Sequence, residues 1–246
     1  IDRYGSEEKL PSLSVRSLFV DSHDAVWIGT RGGGLARWYH ERIDTLGTED
    51  GLPSAIVTAI AEDHEGDIWI GMRGGGVARL RDGSFVVYGK RQGLTQAMIW
   101  SVYQDREGEV WVGTNGGGLF RWRGDRFSAL TTADGLSNNS VWSIEQTHDG
   151  DLWVGTWGGG LTRIHQGKLT SLTTANGLAS DSIRAVYEDG AGTLWFGTDG
   201  AGLVRYRDGK MDTWSTKNGL PHDVVRAIVQ TRDGALWVGT GGGGST

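Results

Sequence analysis

One tetrapeptide recurs along this chain at a fixed spacing. WIGT starts at Trp27, WIGM at Trp69, WVGT at Trp111 and Trp153, WFGT at Trp195 and WVGT at Trp237, each 42 residues after the last. A second column keeps the same period: GLPS, GLTQ, GLSN, GLAS and GLPH begin at Gly51, Gly93, Gly135, Gly177 and Gly219, with KLPS from Lys9 as the first copy. A repeat of this length means that the chain is an array of one supersecondary unit whose copies bury their apolar faces against one another.

Within one period the hydrophobicity alternates with period two over short runs. IVTAIAED (56–63) predicts a strand, HEG a turn, DIWIGM (67–72) a second strand, RGGG a turn, GVARLR (76–81) a third, DGS a turn and FVVYG (85–89) a fourth. No stretch carries the 3.6-residue period of a helix, so a helical solenoid is excluded. Four antiparallel strands per repeat form the blade of a β-propeller. The expectation is an all-β propeller of six 42-residue, four-stranded blades in a single domain, 1–246. The glycine-rich stretch GTWGGGLTR (155–163) is then a strand-to-strand hairpin, with glycines supplying positive φ. A phosphate loop would need a helix behind it, whereas LTRIH continues as a strand.

The two ends of the array are unequal. IDRY (1–4) aligns with IDTL (43–46), an outermost strand, while ALWVGTGGGGST supplies two strands of a blade and then stops. The last blade is therefore expected to be incomplete at the C-terminus. Three readings stay open: completion by the N-terminal strand in a six-membered ring, excision from a larger ring, and self-association in which two chains complete one another.

The net charge of −6 argues against nucleic acid and anionic membranes as general partners. With no cysteine there is no disulfide framework and no thiolate metal site. No apolar run is long enough to span a membrane. The chain opens IDRYGSEEKL with neither an initiator Met nor a signal peptide, which reads as a processed or trimmed start.

Columns that hold constant read as scaffold. The Trp column is expected between neighbouring blades, and Asp63 and Asp105 begin turns whose glycine lies at the fourth position. Two columns vary sharply. One, near the start of each innermost strand, reads Arg16, Thr58, Trp100, Trp142, Arg184, Arg226; the other, in the hairpin after the second strand, reads Arg31, Arg73, Asn115, Trp157, Asp199, Gly241. In a propeller both emerge on one face around the channel mouth, so they are the candidate ligand-binding residues. Arg with Trp suits a ligand offering flat apolar faces and carboxylate or sulfate groups, such as an acidic oligosaccharide. The competing reading is a variable, solvated rim.

No catalytic residue, metal site or cofactor is expected. The six histidines are scattered over five repeat positions, only His64 and His148 sharing one, and no G-x-S-x-G elbow exists. Only His222 lies near the proposed mouth, where Asp223 or Asp181 would be its acid–base partner.

The consensus GLPSxxVxxIxxDxxGxLWVGTxGGGLxR resembles the two-component regulator propeller repeat, and all six periods match it. The resemblance implies a sensor propeller, periplasmic or extracellular, of the kind that precedes a small β-sandwich, a membrane helix and a kinase, commonly with seven blades per ring. The function expected from it is non-enzymatic recognition of a small or oligomeric ligand. A weaker resemblance is to streptogramin lyases, C–O lyases whose GxLWF-type strand is usually followed by Thr-Glu; none of the six copies here has that pair. The uniform spacing also fits an engineered or amplified scaffold with no specific ligand, since natural loops drift in length.

Overall fold

The computed structural model describes residues 10–242, so the proposed closing strand at 1–4 lies outside the described residues. The chain falls into two compact units, 1–129 and 130–246. The first unit carries three four-stranded sheets: Val15–Val20, Val26–Thr30, Leu35–Tyr39 and Arg42–Leu46; Val57–Glu62, Ile68–Met72, Val77–Arg81 and Ser84–Tyr88; Ile99–Gln104, Val110–Thr114, Leu119–Arg123 and Arg126–Leu130, the last strand ending at the unit boundary. The second carries two more, Val141–Gln146, Leu152–Thr156, Leu161–His165 and Lys168–Leu172, then Ile183–Glu188, Leu194–Thr198, Leu203–Arg207 and Lys210–Trp214. It ends in a two-stranded sheet, Val225–Gln230 with Leu236–Thr240.

Every sheet is a meander in which strands lie in sequence order. The four strands expected over 56–89 form within a residue of their predicted limits at every end, and among the described residues the last sheet has two strands. The periodicity did not announce the 3-10 turns after the fourth strands, such as Thr48–Asp50 and Thr132–Asp134. Each is closed by a side chain: Asp50 Oδ2 accepts from Gly47 N at 2.7 Å, and Asp134 Oδ2 accepts from Thr131 N at 2.9 Å.

The Trp column forms the inter-blade core. Trp27 clusters with Leu52, Val57, Ile60, Ile68 and Ile70 of the next blade, and Trp153 with Ile183, Val186, Leu194 and Phe196. The turn aspartates do more than shape their turns. Asp63 Oδ1 accepts from Asp67 N at 2.9 Å, while its Oδ2 accepts from the Trp69 indole at 2.7 Å and pairs with Arg79 at 2.9 Å. The Arg79 guanidinium also lies over the Trp69 ring, 5.4 Å from its centroid. Trp69 thus buries its ring while its one polar atom is satisfied. Asp21 with Trp27, Asp105 with Trp111 and Asp189 with Trp195 repeat the indole bond.

The first and last described sheets bury less of their apolar surface. Trp237 is 54% exposed where Trp69 is 1%, which departs from the expectation that all six pack between blades. Leu18 of the first sheet is likewise exposed, where its counterparts Ile60, Val102 and Val186 are buried.

Blades approach so closely that one glycine is obligatory. A Cβ on Gly71, in WIGM, would meet Ile99 Cγ2 of the next blade at 2.7 Å. The last residue of four inner strands then reaches back to the turn of the blade before. Glu62 Oε2 accepts from Ser22 N, Gln104 Oε1 from His64 N and Glu188 Oε2 from His148 N at 2.7 Å, and Gln230 Oε1 from Gly190 N at 2.8 Å. These bonds, 40 residues apart in sequence, stitch neighbouring blades at the end opposite the candidate columns.

Candidate functional site

The first variable column coincides with a β-bulge in every blade. The pairing of the inner strand with its neighbour shifts between Val15 and Ser17, Val57 and Ala59, Val141 and Ser143, Ile183 and Ala185, and Val225 and Ala227, so Arg16, Thr58, Trp142, Arg184 and Arg226 are the unpaired residues. Trp100 occupies the same place between Ile99 and Ser101. A bulge turns one side chain out of the pleat's alternation without shifting the packing on either side. This is why Thr, Trp and Arg all fit a position whose neighbours are fixed apolar residues.

The second column is held beside the first by the backbone. The amides of Arg31, Arg73, Asn115, Trp157, Asp199 and Gly241 donate to the carbonyls of Ser14, Ile56, Met98, Ser140, Ser182 and Val224, each two residues before the bulge of its own blade. The hairpin also joins the next blade. Arg31 bridges to Ile56, Arg73 to Met98, Trp157 to Ser182 and Asp199 to Val224. Its glycines serve this junction: Gly160, at φ +73°, donates its amide to Asp181 O at 2.7 Å.

In the second unit four candidate side chains meet. The rings of Trp142 and Trp157 lie with centroids 4.1 Å apart, tilted by 55°. The Arg184 guanidinium of the following blade sits over Trp142 at 4.2 Å and over Trp157 at 5.9 Å. Its Nε donates to Asp199 Oδ1 at 2.7 Å. Trp157 remains 44% exposed, so the cluster presents one flat aromatic face to solvent, flanked by an ion pair. Arg226, the next in the column, is exposed beside Gly241, which has no side chain to cover it.

The first unit uses its columns differently. Thr58 Oγ1 donates to Gly71 O at 3.0 Å and to Ile99 O of the next blade at 2.7 Å, which is a structural task. Trp100 buries its indole Nε1 without a hydrogen-bond partner. Asn115 Nδ2 donates to Met98 Sδ at 3.1 Å, and Arg16, Arg31 and Arg73 are exposed. A cavity of about 420 Å³ between the second and third blades is lined by Asp63, Glu65, Trp69, Arg79 and Trp122 among others, and none of the candidate residues borders it.

His222 takes no acid–base partner from Asp181 or Asp223. Its Nδ1 accepts from Val224 N at 3.0 Å, within its own turn. Asp181 accepts from Thr174 N at 2.7 Å and Asp223 from Thr216 N at 2.6 Å, each pinning the 3-10 turn before it. Backbone and side-chain hydrogen bonds from Thr216, with the nearby charge of Lys217, hold the Asp223 carboxyl below the usual carboxylate range. Among the described residues no group of three His, Asp or Glu side chains could hold a metal ion, and no helix is long and apolar enough to cross a membrane.

The model of the two-component regulator propeller matches residues 9–32, 51–74, 93–116, 135–158, 177–200 and 219–242. Among solved structures, the extracellular domain of a putative hybrid two-component system of B. thetaiotaomicron is 26% identical over 94% of this chain and 32% of that one, with a TM-score of 0.82. The extracellular domain of a putative one-component system of B. thetaiotaomicron is 20% identical over 91% of this chain and 34% of that one, at 0.68. Virginiamycin B lyase from Staphylococcus aureus is 19% identical over 92% of this chain and 77% of that one, at 0.71, a likeness of fold alone. The chain spans about a third of the length of the two extracellular domains. No curated protein matches it in sequence.

Proposed function

This chain belongs to the two-component regulator propeller family, and from that premise we propose that it is the recognition part of a sensor, extracytoplasmic and non-enzymatic, which binds a small or oligomeric ligand through the bulge and hairpin columns. The likeness to extracellular domains of two-component systems supports the sensor role. One observation carries the placement of the site: Trp142, Trp157, Arg184 and Asp199, from two blades and both variable columns, converge on one another.

The chemistry fits recognition rather than turnover. Two indoles supply a stacking surface, and the guanidinium and carboxylate supply directional hydrogen bonds of both polarities. A saccharide offers apolar C–H faces and hydroxyls in the same arrangement. The lyase reading has less behind it, because His222 serves its own turn and the Thr-Glu pair is missing from every repeat.

A thermal-shift screen against neutral and acidic oligosaccharides tests this reading, run on the parent and on a Trp142→Ala/Arg184→Ala variant. Binding to the folded state raises Tm by mass action. A shift in the parent that disappears in a variant of unchanged secondary structure supports the site. A shift that survives the double substitution overturns it, and no shift across the panel favours a scaffold without a specific ligand.

A further inference from the structure

We propose that Asp199 is a specificity residue that sets the site for neutral, polyhydroxylated ligands over acidic ones. The inference rests on the recognition reading above and reverses the preference that Arg and Trp suggest when read from the sequence. Arg184 is the guanidinium stacked on the paired indoles, and it already has a counter-ion: its Nε donates to Asp199 Oδ1 at 2.7 Å. The two side chains are only 26% and 19% exposed, so solvent screens the pair less than it would on an open surface.

A ligand carboxylate approaching Arg184 must displace Asp199 or share one guanidinium with it. Two carboxylates on one cation repel each other, and the displaced one loses its partner. A hydroxyl meets neither cost. It accepts from a remaining guanidinium N–H and donates to a carboxylate lone pair of Asp199, while the C–H face of its ring lies on the exposed Trp157. The hairpin column otherwise reads Arg31, Arg73, Asn115, Trp157 and Gly241, so Asp199 is its one acid. It is placed where its charge acts on the bulge residue of the same blade.

The test is an array of gluco-, galacto- and manno-oligosaccharides with their C6-oxidised uronate counterparts, followed by calorimetric titration of the pairs that bind. The parent should favour the neutral member by about tenfold, and Asp199→Asn, which keeps the shape and removes the charge, should close or invert that ratio. Trp157→Ala should lose both members. Uronates bound as tightly as their neutral partners, or a ratio unmoved by Asp199→Asn, overturn the role of Asp199 while leaving the site in place if Trp157→Ala still abolishes binding. No binding to any member overturns the recognition reading and this inference together. An arm without sugar reads the charge directly: Asp199→Asn should increase iodide quenching of tryptophan fluorescence relative to neutral acrylamide, and less so when Trp157 is also replaced by Phe. Equal iodide quenching in parent and variant counts against the proposal.

Discussion

The indole N–H of Trp69 donates to Oδ2 of Asp63 at 2.7 Å, with Arg79 closing the group from the third strand. A ring that is 1% exposed is thereby tied to the turn that starts its own strand. Asp63→Ala leaves the indole N–H buried and unpaired and should cost about 2–3 kcal/mol. A double-mutant cycle with Trp69→Phe, followed by urea denaturation, should give a coupling of about 1.5–3 kcal/mol. Additive losses would show that the bond contributes nothing of its own.

Stability should fall in acid for the same reason. Burial by itself would raise the Asp189 carboxyl, but the Trp195 indole and the amides of Thr193 and Ala191 outweigh it and hold it below the usual carboxylate range; Asp21 is depressed likewise, with Arg37 adding its charge. Below the ordinary aspartate value of about 3.9 the unfolded chain binds the proton more readily than the folded one. The contribution is therefore whole at neutral pH and is lost as pH falls through the depressed folded values. Denaturation midpoints between pH 2 and 6 should drop more steeply for the parent than for Asp189→Asn, and parallel curves would refute the assignment.

Gly71→Ala should destabilise by roughly 1–3 kcal/mol, because its Cβ would stand 2.7 Å from Ile99 Cγ2 and 3.1 Å from Val102 Cγ2. Pairing it with Ile99→Val should not rescue it, since valine lacks only Cδ1 and keeps the methyl that the new Cβ meets, and Val102 stands at the same site. Thermal unfolding of the three variants checks the order.

The stitches between blades predict a chemical preference. Glu62→Gln should be nearly neutral, because Gln104 and Gln230 make the same bond in other blades. Glu62→Ala removes the acceptor for Ser22 N and Ser22 Oγ and should cost about 1 kcal/mol. Equal stability for Ala and Gln would remove the stitch from the account.

The candidate site was legible only in part. The columns holding Trp142, Arg184, Trp157 and Asp199 stood out because they vary between constant neighbours, and the structure does set the hairpin column beside the inner-strand column in every blade. Their roles diverged for a reason that repeat position does not carry. Thr58 spends its hydroxyl on the next blade's backbone, whereas Arg184, in the same column, reaches a tryptophan and an aspartate. The signal that could have marked the ion pair was Asp199 following Arg184 by the same 15 residues that separate Trp142 from Trp157.

The sequence by itself determined the repeat, the four-stranded unit and the hairpin turns within it, because period-two alternation and glycine placement are local and recur 42 residues apart. Only the tertiary structure decided that the variable residue of each inner strand is a bulge, that the turn aspartate holds the indole of its own blade, and that the Arg184 charge is already answered. Each of these depends on which side chains face one another across strands and blades, and a pattern that fixes spacing along the chain leaves those distances open.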